Sequence, residues 1–310
     1  MPMIEAIDLF AGSGGFTEGA RQAGVKVLWA ANHWPLAVDY HKLNHPASQH
    51  ICQDLHQANW AQVPSHRLAL ASPCCQGHSD ARGKEKPEHD DSRSTGWAVV
   101  SCCEYHRPDA FIVENVPKFM RWILFPAWEC AMRAMGYLLT FNVLDAADTG
   151  VPQNRERLFI VGGLGREIEL RKPTVAHVPV SSILDFDAGN WSRVRKHGRA
   201  AATIRRFEAG RQQHGKRFVM PYYGRGSGKI GRSLDRPIGA ITTRDRWALV
   251  DGNFMRMLTV EEYRRAMAFP ASYQLPAKRS EAIHLLGNAV PPPLAKFVVG
   301  QVAQAISVQQ

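Results

Sequence analysis

The chain has 310 residues, 45% hydrophobic and 21% charged, enough for about two domains with a buried core and no need of covalent staples. No apolar run reaches the roughly 18 residues of a membrane-spanning helix, which excludes that class. The net charge of +10 is concentrated: residues 1–163 hold 14 Lys/Arg against 17 Asp/Glu, and residues 164–246 hold 18 against 7.

Ile4 to Phe10 has the composition of a buried strand and runs into Ala11-Gly12-Ser13-Gly14-Gly15. Phe16 to Ala23 can be helical, Val25 to Ala31 is a second strand-like run and Trp34 to Leu43 a second helix. Leu68–Ser72, Phe111–Val113, Gly136–Leu144 and Leu158–Val161 are further apolar runs of strand length. Strands alternating with helices predict an α/β, doubly wound, mostly parallel sheet, with ligands at the carboxyl ends of its strands. Gly162-Gly163 is read as the end of this pattern. The Arg- and Gly-rich stretch after it predicts a second, smaller, irregular and basic domain over 164–283. Residues 1–163 plus 284–310 form the first domain, because Leu294 to Ile306 has helical spacing after Gly287–Pro293, which is read as non-helical. A basic block beside a near-neutral body predicts a polyanion partner, nucleic acid rather than an anionic membrane, since no clean apolar face accompanies it. Six cysteines, two pairs of them adjacent, and an N-terminus without a leader pattern point to a reducing cytoplasm.

Three segments carry chemistry. The glycine-rich loop after the first strand presents backbone N–H groups at a helix N-terminus, which suits a dinucleotide, S-adenosylmethionine or a plain tight turn. Asp8 and Asp54 are acceptors for an adenosyl-amino-acid ligand, or turn and cap residues. Cys74 and Cys75 lie in a loop after a strand, where a thiol near positive dipoles becomes nucleophilic. No Cys/His spacing completes a zinc site. Glu114 follows a buried strand, costly for a carboxylate unless it is paired or used. In Gln153-Asn154-Arg155-Glu156-Arg157 an extended backbone sends residues 153, 155 and 157 to one face.

Together and in this order these segments resemble the S-adenosylmethionine-dependent cytosine-5 DNA methyltransferases, over nearly the whole chain. Asp8–Gly15 resembles their cofactor loop, Pro73-Cys74-Cys75-Gln76 their nucleophile loop, Glu114-Asn115-Val116 their acid motif, and Gln153–Arg157 their paired-arginine motif. Arg236–Thr243 and Gly287–Pro292 resemble the two closing motifs, and the stretch from Arg256–Glu262 to Phe269-Pro270 also fits.

The resemblance implies a Rossmann-like methyltransferase domain with a target-recognition domain, and a reaction on a cytosine flipped out of double-stranded DNA at a short specific sequence. Cys75 would attack carbon 6 and Glu114 would hydrogen-bond or protonate ring nitrogen 3. Carbon 5 would take the methyl group, and loss of its proton with elimination of Cys75 would complete the cycle, leaving S-adenosylhomocysteine as by-product. Arg155 and Arg157 would hold the base oxygen and backbone phosphates. Asp8, Phe10, Gly12, Gly14, Gly15, His33, Trp34, Asp54, Leu55 and Asn288 would form the cofactor site, with Phe10 and Trp34 around the adenine and Asp54 on its amine; no metal is implied. Gln76, Ser79, Arg205, Arg206, Arg225 and Lys229 would face DNA, most arginines of residues 193–217 would contact phosphates, and residues 77–94 would close over the base. A monomer in the cytoplasm at the nucleoid, with a cognate restriction endonuclease as a further partner, is the accompanying expectation. Two departures stand out: His33 occupies the place of a ribose-binding acid, and Cys74 that of a proline. Transfer RNA as substrate and a DNA-binding pseudo-enzyme are the competing readings.

Overall fold

The computed structural model describes residues 3–74, 95–222 and 230–308. Two compact units divide the chain: residues 1–145, 156–174 and 289–310 form the first, and residues 146–155 and 175–288 the second. The 164–174 stretch thus goes with the first unit, and ten residues of the paired-arginine region go with the second.

The first unit is built on a seven-stranded sheet. Its strands are β1 (Glu5–Leu9), β2 (Lys26–Asn32), β3 (Gln49–Cys52), β4 (Leu68–Ala71), β5 (Ala110–Asn115), β6 (Tyr137–Asp145) and β7 (Glu156–Leu164), in the order β3-β2-β1-β4-β5-β7-β6. The pairs among β3, β2, β1, β4 and β5 are parallel, whereas β7 runs antiparallel to both β5 and β6. Strands β1, β4 and β5 are buried along nearly their whole length, as a sheet covered on both faces requires, although β1 carries Glu5 and Asp8 and β5 ends in Glu114-Asn115. Strand order reverses about β1, so the loops after β1 and β4 flank the switch point where ligands of such sheets bind.

Two expectations need correction here. Strand β7 continues through Gly162 and Gly163 to Leu164. These glycines are packing residues, because a Cβ on Gly162 would lie 2.1 Å from the Phe111 ring. Gly287 and Asn288 end a helix, and Pro292 and Pro293 open the next one, where proline lacks no needed hydrogen bond. Only residues 289–291 between them are non-helical.

Helices α1 (Gly15–Gln22), α2 (Pro35–Asn44), α3 (Gly96–His106) and α4 (Phe125–Ala134) follow their strands, and α8 (Pro292–Ser307) closes the unit. Helix α8 packs on α1. At their crossing a Cβ on Gly19 would meet the Ala295 Cβ at 2.3 Å, so glycine sets the approach. The aromatic core beneath β5 joins Phe111, Phe119, Phe125, Trp128 and Tyr137.

The second unit combines long irregular stretches with a small set of regular elements. It has an antiparallel sheet, β8 (Ser192–Arg193), β9 (Arg217–Pro221), β10 (Trp247–Asp251) and β11 (Phe254–Met257), in the order β8-β11-β10-β9. A 14-residue helix α5 (Ala201–His214) packs Phe207 on Phe218, and α6 (Val260–Ala266) and α7 (Arg279–Asn288) follow. Helix α6 begins with a Thr259/Glu262 capping box.

Candidate functional site

The parallel strands bring the loops after β1, β2, β3, β4 and β5 to one edge of the first unit's sheet. After β1 the backbone is left-handed at Phe10, Gly12 and Gly14, with φ of 61°, 55° and 92°. A non-glycine residue in that region is strained, and such strain clusters at ligand sites. Gly14 caps α1, whose first turn offers N–H groups without intrahelical partners. A Cβ on Gly12 would touch little, so that glycine is there for its backbone conformation.

Beneath the loop lies a polar chain that sequence reasoning missed. Asp8 is wholly buried; its Oδ2 accepts a 2.7 Å bond from Thr17 Oγ1, which lies 3.0 Å from His41 Nε2, and His41 Nδ1 lies 2.8 Å from His50 Nε2. Burial raises the Asp8 carboxyl to about 7, opposed by the bonds from Thr17. Asp8 therefore supports the loop from within; the expectation of a carboxylate presented to ligand is corrected by its burial. Its Oδ1 is buried without a hydrogen-bond partner.

At the ends of β2 and β3, His33 is exposed and Trp34 half-buried, with Trp34 N bonded to Asn32 Oδ1 at 2.9 Å. Asp54 caps a short 3-10 turn opened by the buried Leu55: its Oδ1 accepts from His56 N at 3.0 Å and lies 2.8 Å from His56 Nδ1. These bonds hold the carboxyl below its ordinary range. His56 was not among the expected residues; its place two positions after an aspartate cap is the signal that marks it.

After β4, the Ser72 N–H bonds Leu9 O at 3.0 Å, the Pro73 carbonyl accepts from Asn115 Nδ2 at 3.0 Å, and the Cys74 N–H donates to Thr95 Oγ1 at 3.0 Å. Asn115 at the end of β5 thus anchors the Pro-Cys loop. Cys75, Gln76 and Ser79, the rest of the expected closing loop, and Arg225 and Lys229 lie outside the described residues.

Glu114 and Arg157 meet across the β5–β7 ladder. Glu114 lies opposite Phe159, so Arg157 is its diagonal neighbour, and Arg157 Nε sits 3.0 Å from Glu114 Oε1. Both side chains are mostly buried, at 15% and 9% exposure. This charge-assisted bond fixes a carboxyl beside the Pro73 anchor.

Arg155 is differently placed, in the second unit. Its guanidinium donates to Ile241 O and Gly287 O, both at 2.8 Å, and the residue is 2% exposed. Gln153 is fully buried, donates to Ala266 O at 3.1 Å and accepts from Ile241 N at 2.7 Å. Asn154 N bonds Ile238 O. The expected alignment of 153, 155 and 157 is thus corrected: the first two tie backbone together in one unit, and the third serves the carboxyl of the other. A Cβ on Gly287 would lie 2.3 Å from the Thr242 carbonyl carbon, so that glycine serves close packing. Asn288, expected at the cofactor, is an exposed residue ending α7.

The basic segment is partly used internally. Arg195 pairs with Glu208, Arg217 with Asp251, Arg211 with Asn253, and Arg206 Nη1 donates to Tyr222 O at 2.9 Å. Arg205 is exposed. The expectation that most of these arginines contact phosphate is narrowed accordingly. Among the described residues no group of three or more His, Cys, Asp or Glu gathers at metal-ligating distance, and no helix is long and apolar enough to cross a membrane.

Residues 4–304 match a family profile described as C-5 cytosine-specific DNA methylase. The type II methyltransferase M.NlaX of Neisseria lactamica is 28% identical, over 98% of this chain and 98% of its own. M.MspI of Moraxella sp is 24% identical, over 97% of this chain and 70% of its own. Among solved structures, the S. pombe Dnmt2 methyltransferase has the same fold, with a TM-score of 0.71, 15% identity and coverage of 98% of this chain and 99% of that one.

Proposed function

The chain belongs to the C-5 cytosine-specific DNA methylase family and is an S-adenosylmethionine-dependent methyltransferase of the DNA (cytosine-5) class; from that premise we propose that it methylates carbon 5 of a cytosine extruded from double-stranded DNA at a short specific sequence. The observation that carries this reading is the Glu114–Arg157 pair held next to the Asn115–Pro73 anchor of the Cys74-Cys75 loop.

The Cys75 thiolate adds to carbon 6 and opens the carbon 5–carbon 6 double bond. The Glu114 carboxyl engages ring nitrogen 3 and draws electron density from the attacked bond. Arg157 orients that carboxyl and offers its remaining N–H groups to the base oxygen. Arg155 acts at a distance, as a positioning residue that ties the segment before β7 to residues 241 and 287. S-adenosylmethionine supplies, when bound, the electrophilic methyl group that carbon 5 takes. A base then removes the carbon 5 proton, and the carbon 6–sulfur bond breaks to restore the ring.

The residues at the sheet edge fit that cofactor. The left-handed glycine loop and the start of α1 offer N–H groups to its carboxylate, Trp34 offers an aromatic face, and Asp54 Oδ2 is on hand for an exocyclic amine. His33 replaces a carboxylate at the ribose with an imidazole that donates or accepts one bond. The second unit supplies the DNA grip through exposed cations such as Arg205, and a restriction endonuclease partner fits a type II setting.

Trapping on duplex DNA containing 5-fluorocytosine tests the reading. A covalent adduct should form with the cofactor present, persist in Cys74→Ala and vanish in Cys75→Ala. No adduct in either background, and no tritium transfer to DNA, would sink it; transfer to tRNA alone would reassign the substrate.

A further inference from the structure

A cleft of about 350 Å³ opens in the second unit, lined in part by Asn190, Ser192, Arg199 and Tyr222. We propose, resting on the DNA-methylating reading, that this cleft reads one base of the target sequence and that the Asn190 carboxamide selects adenine there.

Arg199 is committed: Nε donates to Val194 O at 3.3 Å, Nη1 to Tyr222 OH at 3.2 Å and Nη2 to Ser192 Oγ at 2.9 Å. Arg256 spends both terminal nitrogens on Glu262, at 2.7 and 2.6 Å. Asp245 accepts from Tyr263 OH at 2.7 Å and Arg279 Nε at 2.8 Å. The arginine fork that reads guanine and the carboxylate that reads cytosine are therefore both occupied by the protein itself.

The Asn190 carboxamide is exposed and makes no hydrogen bond with the described residues. Its carbonyl and amide side by side match the N6 donor and N7 acceptor of adenine in the major groove, the pairing asparagine makes with that base. Met255 and Met257 give the cleft a thioether surface, polarisable and apolar, suited to a flat ring or a thymine methyl group. Arg193, exposed on β8 next to Ser192, is placed for a phosphate beside the base being read. The bonds of Arg199 brace Ser192 and Tyr222, so the wall of the cleft is set before DNA arrives.

The test is methylation of a library of duplexes with randomised bases around a central cytosine, read by bisulfite sequencing with the full chain and S-adenosylmethionine. The wild type should demand an A·T pair at one position, and Asn190→Ala should relax that position by about 5- to 100-fold while preferences elsewhere persist. Asn190→Gln should restore part of the preference. Three results overturn the proposal: no A·T-specific position in the wild type, an unchanged preference in Asn190→Ala, or a loss spread evenly over all sequences. The last two leave the methyltransferase reading standing. A wild type that modifies no duplex at all overturns both together.

Discussion

In the proposed mechanism Glu114 is the carboxyl on which the chemistry turns, and its setting predicts how it fails. Glu114→Gln preserves the shape at the end of β5 but cannot give up a proton to ring nitrogen 3. Methyl transfer should fall by about 100-fold or more, with cofactor affinity unchanged by calorimetry. Asp54 belongs to the proposed cofactor half of the site. On that proposal Asp54→Ala removes an acceptor for the adenine amine, so the cofactor Kd should rise by about tenfold with a smaller effect on kcat. The polar cluster beneath the loop makes a pH prediction. His45, whose ring lies 4.9 Å from that of His41, extends that cluster, and burial lowers its imidazole from 6.5 to about 4. Below pH 6.5 the unfolded chain takes up a proton that the folded one refuses, so its contribution is present above 6.5 and falls away toward pH 4, by about 3 kcal/mol at most. Asp8 works in the opposite sense: its raised carboxyl stays protonated in the fold up to about 7, so its contribution is lost as pH rises from about 4 through 7. Denaturant titrations at pH 4.5, 6 and 8 should show His45→Gln gaining relative stability at the acid end and Asp8→Asn at the alkaline end. A wild-type profile unchanged by either variant would contradict this account.

At the scale of elements, three glycines do work that composition alone assigns to turns. Gly162 lies inside β7 under the Phe111 ring, and Gly162→Ala should cost about 1–3 kcal/mol, partly recovered by Phe111→Leu, in thermal denaturation. Gly19 brings α1 against α8 in the same way. Gly287 lies against Thr242, and Arg155 bonds its carbonyl. The elements legible in the sequence were those with an apolar run of strand length or a helical stretch beside one: β1, β2, β4, β5, β6, β7, α1, α2 and the last helix. Strand β3 escaped because Gln49-His50-Ile51-Cys52 has no such pattern and is a strand only because β2 pairs with it. The antiparallel insertion of β7 between β5 and β6 is likewise a matter of long-range pairing, to which residue composition is blind.

For the whole molecule, the positive charge between residues 164 and 246 implies binding to DNA that weakens steeply with salt. The logarithm of affinity should fall linearly with the logarithm of salt concentration. Arg205→Ala, at an exposed cation, should lower that slope by about one unit, whereas Arg206→Ala should instead loosen the backbone at Tyr222 and leave the slope nearly unaltered. Fluorescence anisotropy over a range of salt concentrations distinguishes the two.

The order of the motifs, read along the chain, carried the family and the cofactor class, because glycine loops, a Pro-Cys turn and a carboxylate after an apolar strand each leave a local signature. Burial and partnership leave none. Asp8 and Arg155 look like ligand-facing residues in one dimension; the fold encloses both, since a buried polar group must find hydrogen bonds and the nearest were on Thr17 and on the carbonyls of Ile241 and Gly287. Asn115 acquires its role only when β4 and β5, distant in sequence, end side by side.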